Sequence, residues 1–177
     1  MLDAGSTFNH RPLIDRLSGF DLIIDTLEPE AQAFTERRVS YLYADLRAPP
    51  LRDDLADTLL CVSVLEHVGM NNAVYGVAAE RVNDPDASAR SALDELRRVC
   101  RPDGRILNPV SYGRAMNVGW QRRFDASAID RLFDGLEVTV TVFEHDALGW
   151  QRSDVRAAVS CAYERGARAV LCAEIAP

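Results

Sequence analysis

The sequence predicts an α/β fold built around a mostly parallel sheet. Short apolar runs alternate with helix-like segments along the chain, the order in which strands and crossover helices take turns. The run Thr58 to Val64 is apolar, partly β-branched and preceded by polar turn residues, as a fully buried strand requires. A helix-like stretch with Leu93, Leu96 and Val99 on one face then leads through Arg101-Pro102-Asp103-Gly104 into a further apolar run.

Each element has a local reason. Met1 to Ala4 reads as the tail of a first strand. Arg11 to Leu17 forms a short helix, with Pro12 in the first turn, where a missing N–H does no harm. Phe20 to Thr26 is a second strand, Gln32 to Arg37 a weak helix, and Ser40 to Tyr43 a third strand. Asn83 to Asp86 interrupts the chain, and Asp86 or Ser88 caps a helix running to about Val99. The turn at 101–104 ends that helix. Arg105 to Val110 is the next strand, Asp125 caps a helix over Ser127 to Phe133, and Glu137 to Phe143 alternates as a strand. Arg168 to Ile175 is the last strand, and its link to the preceding one contains Asp154 to Glu164. No internal repeat or low-complexity tract interrupts this order.

A chain of 177 residues suits a single domain over 1–177 with a sizeable core. No apolar run approaches the roughly 20 residues that span a bilayer, and no basic segment followed by an apolar one opens the chain. The expectation is a cytoplasmic protein without a membrane partner. Net charge is −7 and all 20 basic residues are Arg. The absence of Lys excludes Schiff-base chemistry and a phosphate-loop lysine. The Arg pairs at 37–38, 97–98 and 122–123 form no basic stripe, which argues against a nucleic-acid partner. Cys61, Cys100, Cys161 and Cys172 are too far apart for a CxxC site, and Cys61 and Cys172 sit in apolar runs as small buried hydrophobes. His10, His67 and His145 show no metal-ligand spacing, so no metal is expected.

Four stretches carry chemistry. Asp3-Ala4-Gly5-Ser6 follows a strand, and a glycine there lets the chain turn sharply and lets a ligand approach the backbone. Asp25 lies 20 residues after Gly5, the spacing of a carboxylate that accepts from ribose hydroxyls; Glu28 and Glu30 follow, and Asp25 is preferred over Glu28. Asp45-Leu46 comes just after the third strand, ahead of a Pro-rich turn and Asp53, Asp54 and Asp57. Ser63-Val64-Leu65-Glu66-His67-Val68 leaves the carboxyl end of the buried strand, where ligands of open α/β sheets bind. His67 can orient a substrate or take its proton, and Glu66 steadies the turn. Tyr75, Tyr112 and Trp120 can pack on a ligand.

Together these stretches resemble the class I S-adenosyl-L-methionine-dependent methyltransferases. Gly5 matches the first glycine of a D-x-G-x-G-x-G turn, Leu65 to Val68 is similar to an "LEHV" segment, and Ala92 to Leu107 resembles a helix, turn and strand reading "EL.RVLKPGGRLL". Gly119 to Asp125 also resembles the family, and Glu66 to Met70 with Tyr112 to Arg114 is similar to its bacterial branch. The resemblance implies a Rossmann-like doubly wound sheet closed by an antiparallel C-terminal strand, and S-adenosyl-L-methionine as cofactor. It implies a cofactor site at Asp3, Gly5, Ser6, Asp25, Asp45, Leu46 and Ser63, with Asp45 accepting from the adenine amino group. His67 is the implied catalytic residue, and the substrate a small molecule, a sugar or a lipid-linked intermediate. Methyl transfer needs alignment more than acid–base chemistry. Thr7 and Asn9 replace two glycines, Ala56 an aromatic, and Asp103 a frequent glycine; the first strand has little ahead of Asp3. Two readings stay open: an active methyltransferase, or a non-catalytic relative acting as a binding or scaffold protein. A late start, a fragment and a degenerate chain stay open too, as does a homodimer through a sheet edge or the loop after Gly69.

Overall fold

The computed structural model describes residues 1–76, 84–161 and 168–177. Ten strands run in chain order: β1 (Leu2–Ala4), β2 (Leu22–Thr26), β3 (Val39–Tyr43), β4 (Ala56–Leu60), β5 (Cys100–Ser111), β6 (Met116–Asn117), β7 (Arg122–Arg123), β8 (Val138–Asp146), β9 (Gly149–Ser153) and β10 (Ala169–Ile175). The helices are α1 (Arg11–Arg16), α2 (Pro85–Val99), α3 (Ala126–Leu132) and α4 (Val155–Ala158). Eight strands form one sheet in the order β3-β2-β1-β4-β5-β10-β8-β9, and β6 with β7 forms a separate two-stranded ribbon. The pairings β3-β2, β2-β1, β1-β4 and β4-β5 are parallel, and β10 runs antiparallel to both neighbours. This is the expected mostly parallel sheet with an antiparallel C-terminal strand, which lies between β5 and β8 rather than at the edge.

Burial explains the two layers. Leu2 is in register with Ile23 and Leu59, and Leu59 with Ile106, so these side chains share one face. On that face Leu93, Leu96 and Val99 of α2, with Ile129 and Leu132 of α3, build the larger core against Leu59, Ile106, Val110, Leu171 and Ile175. Leu22, Ile24 and Val39 belong to the opposite face, where Ile14 of α1 and Phe34 cover them in a smaller core. Asp84 caps α2 by accepting from the Ala87 N–H at 3.0 Å, with Pro85 next. Asp125 caps α3 through the Ala128 N–H at 2.8 Å.

Several expectations are corrected. Only a 3₁₀ turn, Thr35–Arg37, forms where a helix over Gln32 to Arg37 was expected; the Gln32 carbonyl accepts from Asn9 instead of a helical N–H, and Glu30 is tied to Ser6 and Asn9. The cap of α2 is Asp84 rather than Asp86 or Ser88; Asn83 lies outside the described residues. Residues 101–104 do not separate helix from strand. They form a bulge inside β5, between the pairs Ala56–Cys100 and Thr58–Arg105. Gly104 is needed there, since a Cβ would lie 2.7 Å from the Cys100 sulfur and 2.9 Å from the Asp57 carbonyl. β4 ends at Leu60 instead of Ser63 or Val64. The Cys61 N–H still donates to the Leu107 carbonyl at 2.9 Å, but the returning donor of a parallel ladder would be residue 109, and Pro109 has no N–H. Three strands follow α3 rather than two, because Val138–Asp146 folds back into β9. The link from β9 to β10 contains α4, and residues 162–167 lie outside the description. Cys61 is buried as expected, whereas Cys172 is half-buried and Cys100 fully buried. No helix among the described residues is long and apolar enough to cross a membrane.

Candidate active site

The strand order reverses between β1 and β4, so the carboxyl ends of the parallel strands splay into a crevice there. A cavity of about 430 Å³ occupies it. Its walls come from the segments that leave β1, β2, β3 and β4: Gly5; Asp25 to Glu30; Ala44 to Arg47; and Ser63, Val64, His67 to Met70, Asn72 and Tyr75.

The turn after β1 is tight. The Gly5 N–H donates to the Asp25 carbonyl at 2.7 Å, and Gly5 takes φ +104°. A Cβ at this position would sit 2.2 Å from Cγ2 of Val64, so both backbone and packing demand glycine. Ser6 also stands in the left-handed region at φ 58°, whereas Thr7 and Asn9 do not. Asp3 is fully buried; one oxygen accepts from the Phe8 N–H at 2.7 Å and the other has no partner. Burial pushes its carboxyl up to about 6. The Thr7 hydroxyl donates to the Val62 carbonyl at 3.0 Å, and the Ser6 hydroxyl donates to Glu30.

Asp25 and Asp45 are opposites electrostatically. Asp25 is 0% exposed and neither of its carboxylate oxygens has a hydrogen-bond partner. Burial lifts its carboxyl to about 7, against the pull of the nearby Ala44 N–H and with a smaller push from Asp45. Asp45 accepts from the Arg47 guanidinium Nε at 3.0 Å and from the Arg47 N–H at 2.8 Å. Those bonds hold its carboxyl below the usual carboxylate range.

The segment after β4 turns at Ser63, a non-glycine residue at φ 54°, whose N–H donates to the Pro109 carbonyl at 2.9 Å. Glu66 is fully buried and accepts from the Ser111 hydroxyl at 3.0 Å, while its own carbonyl accepts from the Arg122 N–H at 3.0 Å. It joins this turn to β5 and β7, a structural task. His67 Nδ1 lies 3.1 Å from the Trp120 carbonyl. A carbonyl only accepts, so Nδ1 carries the proton and Nε2 keeps its lone pair. The ring stacks on Trp120 at 5.5 Å and meets Tyr75 edge-on at 5.6 Å. Burial lowers the pKa of His67, which keeps it neutral near pH 7.

Of the residues expected from the sequence, Gly5, Asp25, Asp45, Leu46, Ser63 and His67 line one cavity. Asp3 and Ser6 lie behind it, tying down the turn and Glu30. Glu28 lines the cavity beside Asp25. Sequence reasoning placed Val64 and Arg47 within its motifs without giving either a role, and it missed the link of Asn9 to Tyr41. Asp45 and Arg47 two residues apart was a readable signal; Tyr41, 32 residues from Asn9, offered none. Tyr112 is fully buried, away from the cavity. Among the described residues, no group of His, Cys, Asp or Glu side chains is placed to hold a metal.

A mostly parallel sheet with a glycine turn after β1 and carboxylates at the carboxyl ends of β2 and β3 is a Rossmann-like arrangement, with its crevice at the switch in strand order. Residues 4–108 match the methyltransferase domain family, and the chain belongs to it. Membership makes it a methyltransferase with S-adenosyl-L-methionine as methyl donor. Solved structures share the fold. The chain is similar to the Burkholderia thailandensis 1,6-didemethyltoxoflavin-N1-methyltransferase at TM-score 0.62 and 15% identity, over 99% of this chain and 70% of that one. It is similar to the N-methyltransferase NodS of Bradyrhizobium japonicum at TM-score 0.58 and 13% identity, over 99% and 84% of the two chains. YcgJ of Bacillus subtilis superposes at TM-score 0.59 and 16% identity, over 98% and 90%. Identities this low establish the fold alone. No curated protein matches the chain by sequence.

Proposed function

We propose that the cavity holds S-adenosyl-L-methionine and that the chain methylates a small-molecule acceptor bound on the His67 side. The observation that carries this reading is Asp25, buried at the cavity wall with two acceptor oxygens and no donor. Ribose hydroxyls are the donors it lacks, and each such bond to a carboxylate contributes about 1.5–3 kcal/mol. Asp45, held by Arg47, stands at the cavity wall where an adenine amino group would reach it in exchange for one of those bonds, and Leu46 offers an apolar surface. Gly5 and Ser63 bring backbone close to the ligand. When bound, the donor supplies an electrophilic methyl group on a sulfonium. The chain's own residues align the partners and exclude water, which supplies several kcal/mol of the barrier. His67, with Nδ1–H held by the Trp120 carbonyl, takes a proton from the acceptor at Nε2.

Calorimetric titration with S-adenosylhomocysteine tests the cofactor site. The expected result is micromolar binding, weakened about tenfold or more in Asp45→Ala. A folded chain that binds none would overturn the assignment. For the base, His67→Gln should lower kcat by about 100-fold or more and leave S-adenosylhomocysteine affinity unchanged. The neutral ring is the active form and burial lowers its pKa, so the acid limb of the pH–rate profile should fall below pH 6.5. A limb at or above 6.5, or an unchanged kcat in the variant, would remove His67 from the chemistry.

A further inference from the structure

We propose that Asn9, Glu30 and Tyr41 form a brace that positions the cofactor turn by side-chain hydrogen bonds. The inference rests on assigning the cavity to S-adenosyl-L-methionine. Asn9 stands where the third glycine of the turn is expected, and it is only 2% exposed. Its Nδ2 donates to Glu30 Oε2 at 2.6 Å and to the Gln32 carbonyl at 3.0 Å, and its Oδ1 accepts from the Tyr41 hydroxyl at 2.9 Å. The Tyr41 oxygen in turn accepts from the Phe34 N–H at 2.8 Å. Glu30 lines the cavity, and its second oxygen accepts from Ser6 at the start of the same turn.

One carboxylate therefore ties both ends of the 6–9 turn to the segment after β2. On the other side, the Thr7 hydroxyl ties the turn to the segment after β4 through the Val62 carbonyl. Glycine at 7 or 9 could make none of these bonds. Neither position takes a positive φ, so neither uses the freedom that glycine would bring. Hydrogen bonds to an ionised acceptor are the stronger kind, and a network whose members hold one another loses most of its effect when any one is removed. Thr7 and Asn9 are then working parts of this chain's cofactor loop rather than signs of decay.

The test is Asn9→Gly, which restores the family's residue, with Tyr41→Phe as a milder variant that keeps Asn9. Amide hydrogen exchange of the ligand-free chain reads the brace directly. Exchange across 5–10 should quicken in both variants and stay unchanged in β5 and β10. S-adenosylhomocysteine should bind about tenfold more weakly to Asn9→Gly. Glu30→Gln combined with Asn9→Gly should cost less than the sum of the two single losses, because the two residues share a hydrogen bond. A folded Asn9→Gly that binds as tightly as the parent, or more tightly, overturns the proposal. If the parent itself binds no S-adenosylhomocysteine, the cofactor assignment fails and the brace is judged by exchange alone; unchanged exchange in both variants would sink it.

Discussion

Asp25→Asn is expected to stabilise the ligand-free chain at pH 8 while weakening its affinity for S-adenosylhomocysteine by about 100-fold. The Asp25 carboxyl titrates near 3.8 when unfolded and at about 7 in the fold, where burial disfavours its charge. Between those values the folded state binds the extra proton, so stability falls as pH rises. The contribution is fully present below 3.8 and is lost as pH passes through about 7. Each pH unit of that window is worth about 1.4 kcal/mol, an order-of-magnitude total of 4 kcal/mol. Asparagine has the same shape and no charge to desolvate. The variant should match the parent near pH 4 and surpass it progressively above, in urea unfolding followed at pH 5 and pH 8. Part of the slope should persist through Asp3, whose carboxyl is lifted to about 6 by the same cause. A variant no more stable than the parent at pH 8 would show that Asp25 is solvated or paired in solution. Unchanged ligand affinity would remove Asp25 from the ribose site. The gain and the loss have one origin: the fold buries a carboxylate at the cavity wall with no side-chain donor.

Gly5→Ala is expected to cost about 2–4 kcal/mol of stability. Two effects add: a side chain at φ +104° meets backbone strain of about 1 kcal/mol, and its Cβ overlaps Val64. Overpacking of this kind costs about 1–3 kcal/mol. The double variant Gly5→Ala with Val64→Ala separates them. Truncating Val64 removes the overlap and leaves the strain, so the double variant should be more stable than Gly5→Ala alone, a non-additivity readable as a rise in thermal midpoint. A double variant less stable than the single one would mean that Val64 does not stand over Gly5. The glycine then has two duties at this site: it admits Val64 as well as leaving room for a ligand.

Much of the fold could be read from local pattern. The helix with Leu93, Leu96 and Val99 on one face forms α2 and buries those residues, because 3.6-residue spacing itself generates the buried stripe. β10 and β3 fall within a residue of their expected limits, since apolar runs flanked by polar residues mark both ends. The misreadings share a cause. The end of β4 depends on a missing N–H in a neighbouring strand, the extra residues of β5 on a bulge against β4, and the failed helix at 32–37 on side chains of the turn after β1. None of those partners is near in sequence.

The sequence by itself determined the α/β alternation, the positions of Gly5, Asp25 and Asp45 at the carboxyl ends of strands, and the family to which the chain belongs. These follow from periodicity and from short motifs whose residues lie within a few positions of one another. The tertiary structure alone decided which side chains meet. It set Val64 over Gly5, left Asp25 buried without a donor, fixed the proton of His67 through the Trp120 carbonyl, and closed Asn9 onto Glu30 and Tyr41. Those contacts join residues 21 to 59 positions apart, brought together where parallel strands from distant parts of the chain lie side by side. Their energies depend on distance and burial, which the order of residues along a chain does not encode locally.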